Sequence, residues 1–326
     1  MSYTVTEENL ANLNSYWTDP KRNLYWPSVF ILPGWLQAWW QVFGAGAEIF
    51  IRAVRQDDAI IGIAPLMVRE KTAYFIGDTD VCDYQDFVII PGMESDFFRT
   101  LFDDLKNNQI KQLDLKHVRP DSAVLTYCQT TARDCGYEVL CTSEAISPEL
   151  ELPPTWEEYL AVLTTKQRHE VRRKLRRLSE AGEVNCRFID NNEDITENMD
   201  AFIRMFTGSR QDKATFLTEQ MESFFRLLAD TMADAGLLKL GILELNAKPV
   251  AAIMCFDYND CVYLYNSGYE PEYNHLSVGL LSKVFGIQDS IQRGKKRFDF
   301  LKGAEPYKYH LGGRDVPLYK CQINMK

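Results

Sequence analysis

Excess basic charge, clustered cysteines, histidine-rich stretches and long apolar runs are all missing from this 326-residue sequence. The formal net charge is −10, which argues against a general nucleic-acid coat, because binding a phosphate backbone needs basic surface. One local basic site stays open. The eight cysteines, at 82, 128, 135, 141, 186, 255, 261 and 321, form no C-x-x-C pair and have no histidine in ligand spacing. No metal site is therefore expected. Several sit in apolar runs such as Ile253-Met254-Cys255-Phe256, which suits a reduced, buried thiol and a cytoplasmic setting. No window approaches the roughly 18 to 20 apolar residues of a membrane-spanning helix. Met1 to Asn14 is polar and acidic, without the basic start and apolar stretch of a secretory leader. The four histidines, at 117, 169, 275 and 310, give no Ser-His-Asp or Cys-His spacing. Nor does any residue-level repeat appear.

What is present is the composition of a folded protein, with 46% apolar and 25% charged residues. The length suits two domains of about 150 residues each. Ser147 to Pro154 carries prolines 148, 153 and 154 and marks the joint, so the expected domains are 1–150 and 151–326. In the first, Pro33 to Phe43 reads as a helix ended by Gly44, and Ile49 to Val54 with Ala59 to Val68 as a hairpin turning at Gln56-Asp57-Asp58. A strand at Thr72 to Ile76, a helix at Ser95 to Lys106, a strand at Gln112 to Lys116, a helix at Ser122 to Cys135 and a strand at Tyr137 to Cys141 follow. In the second, helices at Trp156 to Leu163 and Lys166 to Ala181 precede a strand at Val184 to Ile189. Helices at Glu193 to Phe206 and Thr218 to Ala235 lead into a meander, Leu237 to Leu245, Pro249 to Tyr258 and Val262 to Asn266. A helix at Ser277 to Gln292, a strand at Arg297 to Leu301, a short helical turn and a strand near Pro317 to Ile323 end the chain. Both halves thus read as α/β (α+β), a mainly antiparallel mixed sheet flanked by helices.

Lys166 to Arg177 places seven basic residues, including Arg172, against the single acid Glu170. Val171, Leu175 and Leu178 form one packing stripe. The charged remainder is either a solvated face or a contact for an anionic substrate or donor. Alternation in Val262-Tyr263-Leu264-Tyr265-Asn266 lets Tyr265 and Asn266 line a pocket.

A meander leading into a helix, then a strand and a short helix, is the element order of GNAT N-acyltransferases. Further motifs run nearly end to end: Pro33-Gly34-Trp35-Leu36 with Trp39-Trp40, Gly62-Ile63-Ala64-Pro65-Leu66, Asp83-Tyr84-Gln85-Asp86-Phe87, Pro153-Pro154-Thr155-Trp156, and Phe298-Asp299-Phe300-Leu301-Lys302-Gly303 followed by Glu305-Pro306-Tyr307-Lys308. In these the chain resembles the CelD-like (BioF2-like) acetyltransferases of the GNAT superfamily, related to the FemAB/FemX aminoacyl transferases with tandem GNAT domains. The resemblance implies two tandem GNAT-like domains. The first would be the acceptor side with a degenerate donor site, and the second would perform the transfer.

It further implies acyl-CoA (acetyl-CoA) as co-substrate, held where two strands part, with its pyrophosphate at a helix start whose N–H groups and dipole suit phosphate. Simpler relatives carry Arg/Gln-x-x-Gly-x-Gly/Ala there. This sequence has Asn274-x-x-Ser277-Val278-Gly279, without the arginine and one glycine. Ser277 is still a good helix cap. The short helix after the last core strand usually carries a tyrosine that protonates the departing thiolate. Here Lys308 takes that position, flanked by Tyr307 and Tyr309, and an ammonium there would stabilise developing negative charge. The alternative is a lysine that only caps the sheet edge. The resemblance places Asp83, Tyr84 and Asp86 toward the acceptor, with Glu305, Asp299, Lys302 and Arg172 as further contacts. Asp83 or Glu305 would take the amine's proton or orient it. The expected reaction is acyl transfer to an amine on a sugar, peptide or cell-envelope precursor. The rivals are FemX-like transfer from aminoacyl-tRNA and a non-catalytic module on an eroded fold. The oligomeric state stays open.

Overall fold

Hairpin turns that demand left-handed backbone are filled here by asparagine and aspartate, which tolerate it, with alanine at one position, Ala247. The pairs Asn246-Ala247 and Asn259-Asp260 both have positive φ, as two-residue hairpin loops require. The computed structural model describes residues 2–77 and 80–325, in two compact units. One runs to Ile146 and takes the chain back from Val316 onward, and the other is Ser147–Asp315. The last strand therefore belongs with the first unit, although the prolines suggested an uninterrupted 151–326.

The first unit comprises β1 (Tyr3–Glu8), α1 (Leu10–Trp17), α2 (Pro33–Phe43), β2 (Glu48–Gln56), β3 (Ala59–Arg69), β4 (Thr72–Phe75) and the short β5 (Val88–Ile89). Then come α3 (Glu94–Asn107), β6 (Gln112–Val118), a π-helical turn at Val124–Cys128, α4 (Gln129–Asp134) and β7 (Glu138–Glu151), whose residues from Ser147 lie in the second unit. The second unit continues with α5 (Trp156–Val162), α6 (Thr165–Ala181), β8 (Val184–Ile189), α7 (Asn192–Ser209), α8 (Gln211–Phe216) and α9 (Glu219–Asp234). It closes with β9 (Leu238–Leu245), β10 (Lys248–Tyr258), β11 (Cys261–Tyr269), α10 (Val278–Gln292), β12 (Arg297–Asp299) and α11 (Pro306–His310), before β13 (Arg314–Asn324).

Within the first unit the strand order is β1-β2-β3-β4-β6-β13-β7. Its pairs β1–β2, β2–β3, β3–β4 and β6–β13 are antiparallel and β4–β6 is parallel. Helix α3 buries Phe97, Phe98, Leu101, Phe102 and Leu105 against it, a period of three to four residues that makes one apolar face. The Phe98 ring meets Phe87 edge-on at 5.1 Å. Each such fully buried side chain contributes roughly 1.5–3 kcal/mol. Cys141 of β7 and Cys321 of β13 form a disulfide, whereas Cys255 is free and buried. The expectation of a reduced, buried thiol holds for Cys255, and no disulfide was expected from the sequence.

In the second unit the order is β7-β12-β11-β10-β9-β8, with β11–β12 parallel and the other pairs antiparallel. Pro148, expected in a linker, lies inside β7. It lacks an N–H, but its carbonyl still accepts from Phe300 N at 3.0 Å, so the strand pairing continues through the proline with one donor fewer. The core gathers Val278, Leu281, Val284, Ile287 and Ile291 of α10 with Val171 and Leu178 of α6. Among the described residues no helix is long and apolar enough to cross a membrane.

Two candidates from the sequence prove to be framework of the first unit. Tyr84 is 2% exposed, its ring edge-on to Phe30 and 4.9 Å from the Arg119 guanidinium. Asp86 is buried and accepts from Phe87 N at 2.9 Å and from Ala123 N at 2.8 Å, so it caps the π-helical turn instead of facing solvent. Burial pushes its carboxyl up from 3.8 to about 7, against the backbone N–H groups that lower it.

Two outcomes follow from this packing. A Cβ at Gly268 of β11 would lie 2.3 Å from the α7 backbone at Met205 and Phe206, and no side-chain rotation relieves a backbone clash. Gly268→Ala is expected to lose about 1–3 kcal/mol or more in denaturant unfolding. Because Asp86 binds its proton more tightly when folded, its contribution is complete at acid pH and is lost as pH rises through about 7. Asp86→Asn should flatten the fall of melting temperature between pH 4 and pH 8, and an unchanged profile would contradict the assignment.

Candidate functional site

Strand β11 is held on both sides only at its beginning. Its parallel pairing with β12 covers Cys261, Val262 and Tyr263 against Arg297, Phe298 and Asp299. Beyond that, β11 runs on to Tyr269 alongside β10, while β12 has ended. The two strands therefore fork. A bulge marks the same place: Met254 pairs with Asn266 and Cys255 with Leu264, leaving Tyr265 as the extra residue, and bulges re-aim strands. The half-buried Tyr265 ring packs against Phe225 and Phe256 at 5.8 and 5.3 Å. Asn266 is half-buried beside it.

After the fork the chain makes a 3-10 turn, Pro271–Leu276, and starts α10 through Ser277 in a left-handed conformation (φ 61°). Ser277 was expected to cap the helix with its hydroxyl. It makes no such bond; its Oγ accepts from Lys174 Nζ at 2.8 Å. A lysine ammonium thus stands at a helix start, where the first N–H groups have no partner within the helix. Val278 is buried, and Gly279 is tight against Tyr269, since a Cβ would come within 2.7 Å of that ring. The glycine therefore makes room for the protein's own tyrosine. Asn274 is exposed, and its carbonyl accepts from Ser277 N at 2.9 Å.

Helix α6 explains how Lys174 arrives there. Thr164 and Gln167 form a reciprocal capping box, and Gln167 Nε2 also donates to Tyr309 O at 3.1 Å. A cavity of about 620 Å³ opens beside α6, its walls including Lys166, Gln167, Lys174, Leu280, His310 and Leu311. Arg172, the residue singled out from sequence, is absent from this lining and pairs with Glu157 at 3.0 Å on the surface. Glu170 does line the cavity, and its bonds to Arg173 hold its carboxyl down to about 2.

The loop after β12 is built around two buried charges. Asp299 is fully buried, and its Oδ1 accepts from Leu301 N at 2.8 Å, which fixes a turn where Leu301 has φ 61°. Lys308 of α11 was expected to face a departing group. Its ammonium instead donates to the carbonyls of Leu301, Lys302 and Gly303 at 2.8, 2.8 and 3.1 Å and lies 2.9 Å from Glu305 Oε2. At 2% exposed, with that set of partners, it ties the loop together. Lys302 is half-buried. Tyr309 OH donates to Asp315 at 2.7 Å. The Tyr307 ring packs edge-on to Phe300, and burial raises its phenol above the ordinary value. Asp83 in the first unit is half-buried.

Two lysines escaped the sequence reading. Lys283 is 6% exposed on the apolar face of α10, donates to Gly279 O at 2.7 Å and lies 5.1 Å from the Tyr307 ring centroid. Lys213 of α8 donates to Ser267 O on the free part of β11 and sits 4.8 Å from the Phe206 centroid. A lysine at a buried position of an otherwise apolar helix was the available signal for the first. The second sits in a short helix that the periodicity does not reveal. Among the described residues no group of three or more His, Cys, Asp or Glu side chains is placed to hold a metal.

Residues 165–309 match the acetyltransferase (GNAT) domain family. No curated protein matches the sequence, whereas solved structures share the fold. FemX superposes with a TM-score of 0.67 at 10% identity, covering 98% of this chain and 96% of its own. A conserved protein of unknown function from Bacteroides thetaiotaomicron gives 0.61 at 14% identity over the whole of both chains. The C-terminal domain of a putative lysylphosphatidylglycerol synthetase from Agrobacterium fabrum gives 0.53 at 10% identity, covering 81% of this chain and 80% of that one. At these identities the likeness is one of fold. The family match thus gives residues 165–309 an acetyltransferase (GNAT) domain, and the chain as a whole has a FemX-like fold.

Proposed function

We propose that the second unit moves an acyl group from acyl-CoA, acetyl-CoA in the simplest case, to an amine on a sugar, peptide or cell-envelope precursor in the cytoplasm, as a CelD-like N-acetyltransferase. The carrying observation is the fork between β11 and β12 that ends at the start of α10, where Lys174 stands on Ser277. The pyrophosphate would take the N–H groups of Val278 and Gly279 and the Lys174 ammonium. The pantetheine arm would run along the free edge of β11 past Asn266 and Tyr265, with Asn274 at the outer rim. The acceptor amine attacks the thioester carbon, a C–N bond forms and the C–S bond breaks. Tyr307, kept protonated by burial, supplies a proton to the thiolate, and Glu305 accepts the proton the amine sheds. Lys308 and Asp299 act as positioning residues that keep the loop carrying Glu305 and Tyr307 in place. The first unit is proposed as the half that recognises the acceptor, with Asp83 its candidate contact, and Ser147–Asp315 as the half that transfers.

The second reading is FemX-like use of aminoacyl-tRNA. The basic residues on α6 favour it, since Arg176, paired only loosely with Glu180 at 3.7 Å, is mostly exposed. It requires binding of charged tRNA that weakens steeply with salt, and undetectable binding at low salt removes it.

Acetyl-CoA at about 100 times its dissociation constant should stabilise the protein by about 2.7 kcal/mol. Lys174→Ala should weaken that binding about tenfold or more, as expected for a lost charge-assisted contact. The absence of a thermal shift with any acyl-CoA would sink the donor assignment. Lys308→Ala, by leaving the three loop carbonyls without their donor and the half-exposed Glu305 without its partner, should lower stability by about 1–3 kcal/mol. A variant that melts like wild type but turns over far more slowly would return Lys308 to direct catalysis.

A further inference from the structure

The ammonium groups of Lys213 and Lys283 have a charge problem that their own surroundings leave unsolved. An ammonium carries three N–H donors, and among the described residues Lys283 donates only to Gly279 O, and Lys213 only to Ser267 O. Aromatic rings cover part of the remainder, Tyr307 beside Lys283 and Phe206 beside Lys213. The acids within reach are committed elsewhere. Glu305 acts on both lysines but lies 2.9 Å from the Lys308 ammonium. Asp212, which faces Lys213, is gripped by Arg210 through bonds of 2.9 and 2.8 Å. Arg210 itself repels Lys213, the two lysines repel each other, and Cys255 is the remaining titratable neighbour of Lys283. A buried cation without its own counter-charge is costly. Such a pair either sheds protons or takes an anion from outside.

We infer that Lys213 and Lys283 form a receptor for a carboxylate borne by the substrate at its reacting end. The inference rests on the donor reading above, because that reading assigns carrier phosphates to the start of α10 and leaves the inner part of the fork to the reacting groups. Position supports it. Lys213 is anchored on β11 beyond the point where β12 ends, and Lys283 is anchored on the first turn of α10. A carboxylate there accepts the spare N–H donors and supplies the missing negative charge. It has two sources: the far end of a dicarboxylic acyl group on the donor, or an acid group on the acceptor.

Without a ligand, burial and then mutual repulsion lower Lys283 to about 7, and burial and then Arg210 lower Lys213 to about 8. A bound carboxylate restores the protonated forms, so binding takes up protons and weakens as pH rises through 7 to 9. Titration calorimetry of the full chain with acetyl-CoA, succinyl-CoA, free succinate and free glycine, in buffers of different ionisation heat, reads this directly. The expected result is proton uptake with the carboxylate probes and at least a tenfold (about 1.4 kcal/mol) loss of affinity from pH 7 to pH 9. Lys283→Met and, at a half-buried position, Lys213→Met should abolish both, and Lys283→Met should melt at or above the wild-type temperature, since an apolar chain replaces an unbalanced buried charge. Tighter binding of succinyl-CoA than acetyl-CoA identifies the donor as the source, and uptake with free glycine or succinate the acceptor. Should acetyl-CoA fail to bind while a free carboxylate binds with uptake, the donor reading falls and the receptor stands. If acetyl-CoA binds but every carboxylate probe binds without proton uptake, or the methionine variants bind them like wild type, the receptor is overturned.

Discussion

Strand β11 can stay open on one edge only because it is fastened firmly elsewhere. A strand edge left bare would normally recruit a neighbour or collapse onto one. Here the opposite edge is paired with β10 along its length, with the bulge at Tyr265 turning the outer part aside. Gly268 brings the α7 backbone so close to the strand that no side chain fits between them. Each constraint alone would leave β11 able to drift toward β12. In combination they hold the gap open, with the start of α10 following it in the chain and Lys213 bonded to the free part of β11.

The loop between β12 and α11 meets a second requirement, holding a short polar segment still without regular secondary structure. Backbone in a loop must find partners for its carbonyls or expose them to water. Lys308 satisfies three at once, and Asp299 secures the turn that brings Leu301 among them. Charge is used as mortar, and the residues carrying it cannot easily serve as reactants as well. That division separates Lys308 from Lys283. The one is saturated by its own loop and the other is left with donors to spare.

Periodicity and turn residues disclosed most of the architecture. The apolar face of α3, the Asp57 and Asn246 turns and the stripe Val171, Leu175, Leu178 each follow from spacing alone. The edge strand β1 escaped because Tyr3 to Glu8 alternates weakly and is mostly only half-buried. Pro148 misled because a missing N–H looks like a break, whereas the bond that its carbonyl accepts from Phe300 N is enough to keep the strand paired. At the candidate site, residue type proved a poorer guide than environment. Asp86 and Lys308 have the chemistry of reactants, yet their polar atoms are consumed by nearby backbone. Lys213 and Lys283 carry no motif, and their character comes from burial and from neighbours far away in sequence.

The Lys174 ammonium stands between the Ser277 hydroxyl at 2.8 Å and the Glu170 carboxylate at 3.5 Å. On the proposed donor reading, an arriving phosphate would take over a cation that already has a resident counter-ion, and that carboxylate would be in place to reclaim the lysine afterwards. Capture and release would then be an exchange of anions instead of the filling and emptying of a bare charge, easing departure of a spent carrier and handicapping ligands of single negative charge.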